Sequence, residues 1–138
     1  MTCKDGFVYF GGGNGRSFTK ADVYTGATVW SRNVLNNPFV GNTTYTTSVI
    51  LDCGGTEVVY LTTAAGELYA LDAATGANYA GWAVNPVMLD GDPYSTLSSN
   101  EVDVIYVGTG GEFSTGNGTI YAIDACTGNI VWSLGEGD

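Results

Sequence analysis

The sequence predicts an all-β fold, a partial β-propeller of about three four-stranded antiparallel blades. Two observations carry this prediction, the glycine content and a threefold repeat. Gly accounts for 21 of the 138 residues, about twice the usual share, which favours many short strands joined by tight turns. Three segments match one another: Gly6 to Trp30, Thr56 to Trp82 and Val102 to Trp132. A repeat of about 50 residues is typical of propeller blades.

Within each repeat the strands are short, β-branched and aromatic. The runs 58–61 (VVYL) and 104–107 (VIYV) are apolar without clean alternation, which predicts strands buried on both faces between stacked sheets. Residues 46–51 and 94–99 supply an additional strand before the second and third repeats. We therefore expect four strands per repeat.

The whole chain, residues 1–138, is interpreted as one propeller segment with blades at about 1–33, 44–84 and 93–133. The first blade begins at its second strand, so we expect eleven strands and an unpaired inner edge there. The outer faces of the end blades would then be uncovered, with Val8, Phe10 and Phe18 in contact with water. Such faces favour association, and we expect a homo-oligomer that completes the ring, or a longer chain.

One motif recurs in every repeat, an Asp-x-x-Thr-Gly turn followed by a strand that ends in Trp. Asp and Thr side chains can hydrogen-bond within their own turn, and Gly suits a turn with positive φ. We interpret these residues as structural: Trp30, Trp82, Trp132, Asp22, Asp72, Asp124, Gly26, Gly76 and Gly128.

The stretches ALDAATG and AIDACTGNIVW resemble the tryptophan-docking repeat of the pyrroloquinoline-quinone-like, or quinoprotein alcohol dehydrogenase-like, propeller family. The resemblance implies that each Trp packs between blades, against a small Ala and the turn of a neighbour. Lys20 stands where the family has Ala, which should loosen one such contact. The second repeat has two more residues before Trp82 than the family motif has at this point.

The family's dehydrogenases hold the quinone and Ca²⁺ with residues from many blades. No position of this chain maps onto those residues, so we assign no catalytic residue, no metal ligand and no cofactor-binding residue. By this resemblance, the quinone and Ca²⁺ belong only to a complete propeller.

Loops at one end of the blades are the predicted ligand face. The hairpin loop 108–119 carries Glu112, Phe113 and Asn117, and the loop 85–93 carries Asp90 and Asp92. These residues could contact a ligand, or the loops could be ordinary surface turns. Calcium accepts such carboxylate clusters, with Glu101 and Asp103 nearby in sequence, but its loops usually supply more ligands at fixed spacing.

The three cysteines match no metal-ligand spacing, and the chain has no His, which excludes zinc sites and Cys–His or Ser–His catalytic pairs. Cys3 and Cys53 occupy nearly equivalent places in adjacent blades. A disulfide between them is an alternative to free thiols, provided that their Cα atoms approach within about 7 Å. Cys126 is expected to be exposed.

Four Lys and Arg against 14 Asp and Glu give a net charge of −10. So few cations exclude nucleic acid as an expected partner, and no apolar run is long enough to span a bilayer. The acidity is typical of a soluble surface outside the cytoplasm, so we expect a periplasmic or extracellular location, with any leader peptide absent or already removed.

Three functions remain as hypotheses. The first is a non-catalytic propeller module that acts as a scaffold or interaction surface. The second is a fragment of a quinone-dependent alcohol or sugar dehydrogenase. The third is a carbohydrate-binding propeller, in which Tyr45, Tyr94 and Phe113 would stack on sugar rings.

Overall fold

The computed structural model describes residues 1–11, 17–34, 47–93, 96–110 and 118–135. The regular structure in these ranges is β-strand, arranged in three four-stranded antiparallel sheets. The predicted all-β class and partial β-propeller are therefore confirmed. Within the same ranges, no helix has the length and apolar character needed to cross a membrane.

Each sheet consists of four consecutive strands that lie side by side in chain order. The first sheet contains β1 (Thr2–Lys4), β2 (Phe7–Gly11), β3 (Ser17–Asp22) and β4 (Thr28–Asn33); the second contains β5 (Val49–Cys53), β6 (Thr56–Thr62), β7 (Glu67–Asp72) and β8 (Val87–Met88); the third contains β9 (Ser98–Ser99), β10 (Val104–Gly108), β11 (Thr119–Asp124) and β12 (Ile130–Gly135). Because neighbouring strands are also neighbours in sequence, each sheet is a series of consecutive antiparallel pairs.

The first sheet has all four strands, which corrects the expectation of a missing inner strand. β1 pairs with β2, with Thr2 opposite Tyr9. The turn between them has positive φ at Asp5 (50°) and Gly6 (81°), a conformation that reverses the chain within two residues. The described ranges therefore hold twelve named strands instead of the expected eleven. Three residues are too few to show a strand pattern in the sequence.

The last strand of the second sheet lies later in the chain than predicted. β8 pairs with β7, with Val87 opposite Leu68, and Trp82 lies outside any strand. The side-chain amide of Asn85 occupies the edge of β7 instead: it accepts the N–H of Ala70 at 3.2 Å and donates to the Ala70 carbonyl at 2.6 Å. The second sheet thus extends beyond the predicted boundary at residue 84.

The core consists of two apolar clusters, one on each side of the second sheet. Val59 and Leu61 belong to the cluster shared with the first sheet, whereas Val58 and Tyr60 belong to the cluster shared with the third. All four side chains are completely buried. Burial on both faces explains why this strand is apolar without alternation.

Phe18 lies in the cluster between the first and second sheets and is 2% exposed, so the expectation that it would meet water is wrong. It pairs with Gly11, whose neighbour Phe10 points to the opposite face of the sheet because side chains alternate along a strand. Phe10 is only half-buried and lines a groove there with Val8.

Two tryptophan side chains connect neighbouring sheets. The indole N–H of Trp30, in the first sheet, donates to the carbonyl of Ala73 in the second sheet at 3.0 Å. The indole N–H of Trp82 donates in the same way to the carbonyl of Ala125 in the third sheet at 2.7 Å. In both cases the acceptor is the residue that follows the Asp of the turn motif.

The turn glycines leave room for these indoles. A Cβ added at Gly76 would come within 2.7 Å of the Trp30 ring, and a Cβ at Gly128 would come within 2.7 Å of the Trp82 ring. Both glycines have positive φ, 76° and 77°. Glycine is therefore required at both positions for two reasons: the backbone has positive φ, and the indole ring packs closely against the turn.

The Asp side chains hold the same turns in shape. Each accepts the backbone N–H groups of the residues two and three positions later, at 2.8–3.3 Å: Asp22 from Tyr24 and Thr25, Asp72 from Ala74 and Thr75, Asp124 from Cys126 and Thr127. The backbone hydrogen bonds from Thr25 and Tyr24 lower the pKa of Asp22, because they stabilise the charged carboxylate.

Lys20, which was expected to loosen the contact between the first and second sheets, itself makes contacts across it. It is 7% exposed, and its ammonium donates to the carbonyl of Ala73 at 2.9 Å. The ammonium also lies 4.2 Å from the ring centroid of Phe7 and 5.4 Å from that of Tyr9. The carbonyl and the two ring faces replace the water lost on burial.

Two further cations join the same pair of sheets. Lys4 forms an ion pair with Glu57 at 2.7 Å, and the guanidinium of Arg32 donates to the carbonyl of Gly76 at 3.1 Å. Together with Lys20, three of the chain's four Lys and Arg side chains make contacts across this interface.

The second and third sheets are joined by a disulfide between Cys53 and Cys126, and Cys3 is an exposed free thiol. Of the two alternatives for Cys3 and Cys53, the mutual disulfide is wrong, and a free thiol is right only for Cys3. The expected exposure of Cys126 is also wrong, because Cys126 is half-buried. Cys53 belongs to the cluster that faces the third sheet. Cys3 instead lines the groove on the far face of the first sheet, so the sulfur atoms of Cys3 and Cys53 point away from each other.

Replacing both Cys53 and Cys126 with Ala is expected to lower the free energy of unfolding by about 2–5 kcal/mol. The bond links residues 73 positions apart and so restricts the unfolded chain strongly. Guanidinium denaturation followed by far-UV circular dichroism measures the change. Cys3→Ser is the control and should unfold like the wild type; equal stability of the double variant and the wild type would contradict the prediction.

Gly128→Ala is expected to destabilise the protein by about 1–3 kcal/mol more than Gly54→Ala. Both glycines have positive φ, 77° and 64°, so both substitutions strain the backbone similarly. Only the Cβ at residue 128 would meet an indole, whereas residue 54 has open space. Denaturant unfolding of the two variants compares them, and equal losses would show that the indole contact contributes little.

Candidate interaction site

Asp90 ties the loop after the second sheet to a hairpin of the third. Its carboxylate accepts the hydroxyl of Thr109, just beyond β10, at 2.8 Å and the hydroxyl of Thr119, at the start of β11, at 2.8 Å. The hydroxyl of Tyr121 also bonds to Asp90. One carboxylate therefore holds both sides of the base of the β10–β11 hairpin.

These bonds control the protonation of the site. Partial desolvation would raise the pKa of Asp90, but the hydrogen bonds from Thr119, Thr109 and Tyr121 outweigh it and lower the pKa below its ordinary value of 3.8. Burial, followed by the bond to the Asp90 carboxylate, raises the pKa of Tyr121. The carboxylate is thus charged and the phenol neutral near pH 7, which is the combination in which the phenol donates.

Backbone contacts join the same loop to the same hairpin. The carbonyl of Asp92 accepts the N–H of Gly110 at 3.1 Å, and Pro93 forms a bridge with Gly110. Asp90 and Asp92 therefore lie beside the hairpin that was predicted to form the ligand face with them. Glu112, Phe113 and Asn117, the other predicted residues, lie outside the described ranges.

The second sheet has a related contact at the same end of its strands. The carboxylate of Glu67, which is 6% exposed, accepts the hydroxyl of Thr63 at 3.0 Å and bonds to Tyr69. Burial, with a further contribution from Glu67, raises the pKa of Tyr69 to about 12. The sequence indicated Asp90 but gave no signal for its hydroxyl partners, because Thr and Tyr at these positions are also common strand residues.

Within the described ranges, the carboxylates do not gather into a metal-binding group. No three carboxylate, Cys or His side chains converge in this part of the chain. Both oxygens of Asp90 already accept hydroxyls, which a metal ion would have to displace. Glu101 and Asp103 lie in the turn before β10, at the opposite end of that strand from Thr109, so they cannot join Asp90 around one ion.

The outer face of the first sheet bears an open groove of about 380 Å³, which we call the first-sheet groove. Its lining is mostly apolar and includes one turn of the repeated motif: Cys3, Val8, Phe10, Ala21, Asp22, Val23 and Gly26. On the second and third sheets, the equivalent turns receive Trp30 and Trp82.

The outer face of the third sheet is apolar as well, and we call it the last-sheet face. It carries Ile120, Trp132 and Leu134, which are 49%, 47% and 51% exposed. Trp82, by comparison, is 4% exposed. Exposed apolar side chains in one contiguous region are typical of interaction surfaces.

Stacked four-stranded antiparallel sheets of this kind define the chain as a set of β-propeller blades of the pyrroloquinoline-quinone-like repeat class. A family model described as outer membrane protein assembly factor BamB matches residues 1–81, which is more than half of the chain. The chain belongs to that family. A search of curated protein sequences finds no match.

Solved structures with the same fold include both propeller enzymes and assembly factors. BamB from Moraxella catarrhalis superposes with a TM-score of 0.67 at 18% identity, over 92% of this chain and 33% of that one. A europium-containing methanol dehydrogenase gives 0.72 at 20% identity, over 96% and 23%. Quinohemoprotein alcohol dehydrogenase ADHIIG from Pseudomonas putida HK5 gives 0.69 at 21% identity, over 96% and 19%. The chain spans a third or less of each.

Asp90→Asn is expected to make stability less dependent on acid. The pKa of Asp90 is lowered in the folded protein, so its stabilising contribution is present above pH ~4 and is lost as pH falls through the lower folded-state pKa. The difference between wild type and variant should be at most about 1 kcal/mol near neutral pH, because the carboxylate is exposed, and should disappear in acid. Unfolding curves at a series of pH values measure it. Asp92→Asn removes the same charge nearby and is the control; an identical effect there would contradict a specific role for Asp90.

Proposed function

We propose that this chain is a non-catalytic β-propeller module that acts as a scaffold or protein-interaction surface, in the assembly of outer membrane proteins as its family description indicates. The observation that carries the proposal is the use of its polar groups. Carboxylates and cations such as Asp90, Glu57 and Lys20 bond across sheet interfaces, while apolar side chains remain exposed on the last-sheet face. This distribution suits protein contacts better than substrate chemistry.

We further propose a periplasmic or extracellular location. The Cys53–Cys126 disulfide supports it, because such bonds persist in oxidising compartments. Nucleic acid is not an expected partner, since the net charge is −10 and three of the four cations are engaged between sheets.

We also propose that the open end faces are covered, either by further blades of a longer chain or by a second copy in a homo-oligomer that completes the ring. Both arrangements would bury the first-sheet groove and the last-sheet face, which together leave apolar surface exposed in one copy.

Two measurements test the scaffold proposal against the dehydrogenase. In the first, the chain is mixed with pyrroloquinoline quinone and Ca²⁺, passed through gel filtration, and assayed for dye reduction with ethanol or glucose. We expect no retained quinone absorbance and no turnover; retention together with turnover would establish the dehydrogenase instead.

The second measurement follows the fluorescence anisotropy of a labelled, urea-denatured outer-membrane β-barrel polypeptide diluted into the chain. We expect saturable binding, with a denatured all-α protein as the control. No binding would contradict a role in outer-membrane protein assembly. The carbohydrate hypothesis rests on Tyr45, Tyr94 and Phe113, which lie outside the described ranges, and a glycan array tests it.

A further inference from the structure

The two end faces of the chain carry the two halves of one contact that the chain already makes twice internally. At each internal interface, the earlier sheet supplies an indole and the later sheet supplies a turn. Trp30 lies on the turn at Gly76, and Trp82 lies on the turn at Gly128. Among the residues that the structure describes, no indole lies on the turn at Gly26, and the indole of Trp132 is 47% exposed.

The last-sheet face is arranged like the indole-bearing face of the second sheet. The rings of Tyr106 and Trp132 are 6.1 Å apart, compared with 5.9 Å for Tyr60 and Trp82. At the interface between the second and third sheets, the hydroxyl of Tyr60 donates to the Ala125 carbonyl at 2.8 Å. The same carbonyl accepts the indole N–H of Trp82. Tyr106 and Trp132 therefore present two donors in the arrangement that binds a single carbonyl.

The first-sheet groove presents the matching acceptor. The turn at Asp22 is closed by the same bonds as the other two turns, and Gly26 has φ of 71°. Val23 follows Asp22 as Ala73 follows Asp72, so the Val23 carbonyl corresponds to the one that accepts Trp30. A Cβ at Gly26 would have no described atom within 4 Å, which is the space that an indole fills on the other two turns.

We propose that Trp132 of one copy docks in the first-sheet groove of a second copy, with its indole on Gly26 and its N–H bonded to the Val23 carbonyl. This proposal rests on the proposed homo-oligomer and names its contact. The occupant is a second copy because the chain itself carries the complementary half, and because each half reproduces an interface present within the chain.

The electrostatics give this contact a recognisable salt dependence. Each copy has a net charge of −10, and the donors and acceptor named above are uncharged. Association must therefore work against repulsion between copies, so added salt strengthens it by screening. An interface held by ion pairs would weaken with salt instead. The contact joins unlike faces, so copies form a closed ring or an open series.

Sedimentation equilibrium over a range of concentrations tests the proposal. Cys3→Ser protein is used, so that no intermolecular disulfide contributes. We expect concentration-dependent association that strengthens with NaCl, and a dissociation constant raised at least ~30-fold by Trp132→Ala, as for a central tryptophan of an interface. Gly26→Ala should weaken it similarly by filling the indole position. Gly54→Ala is the matched control, with φ of 64° and open space, and should associate like the parent.

The Cys3 thiol gives a second readout, because it lines the groove. In protein that retains Cys3, maleimide labelling should slow as concentration rises, and should become independent of concentration in the Trp132→Ala variant. An oligomer that persists in both Trp132→Ala and Gly26→Ala overturns this contact while leaving the homo-oligomer in place. A labelling rate that does not depend on protein concentration, in protein that still associates, has the same consequence. A monomer at every concentration overturns both. Neither result changes the outcome of the quinone and polypeptide-binding assays.

Discussion

The structure depends on one repeated contact, an indole from one sheet resting on the turn glycine of the next. The contact requires a glycine with positive φ, a carbonyl directed at the indole N–H, and an Asp that holds the turn in place. Trp30 with Gly76 and Trp82 with Gly128 satisfy all three conditions. Since each sheet is built from local hairpins, it is this contact and the apolar clusters beside it that fix the sheets relative to one another.

Around this shared contact, the two interfaces use different chemistry. The first and second sheets are joined by Lys4, Lys20 and Arg32. The second and third sheets are joined by a disulfide and by hydroxyl bonds to Asp90. Of these contacts, the Lys4–Glu57 ion pair responds to ionic strength and the Cys53–Cys126 disulfide to redox conditions. Of the three cations, only Lys20 is buried, whereas the side chain of Lys4 is 38% exposed.

Residue types alone do not identify a ligand face in this chain. Asp90 has the appearance of a ligand-binding carboxylate in the sequence, yet its oxygens bond to Thr109 and Thr119 across a sheet boundary. Which carboxylates are engaged structurally is decided by partners far away in sequence. The surfaces that remain for function are the loop end of the sheets and the two apolar end faces.

The sequence by itself determined the number of repeats, the four-stranded pattern of the second and third repeats and the turn motif, because strands and turns form between residues close along the chain. Only the tertiary structure decided that Cys53 pairs with Cys126, that Lys20 reaches Ala73, and that Asn85 takes the edge position expected for the strand at Trp82. These outcomes depend on which face of a strand meets the next sheet. A one-residue change in the pairing register of a strand turns its side chains to the other face. This register cannot be read from a single sequence.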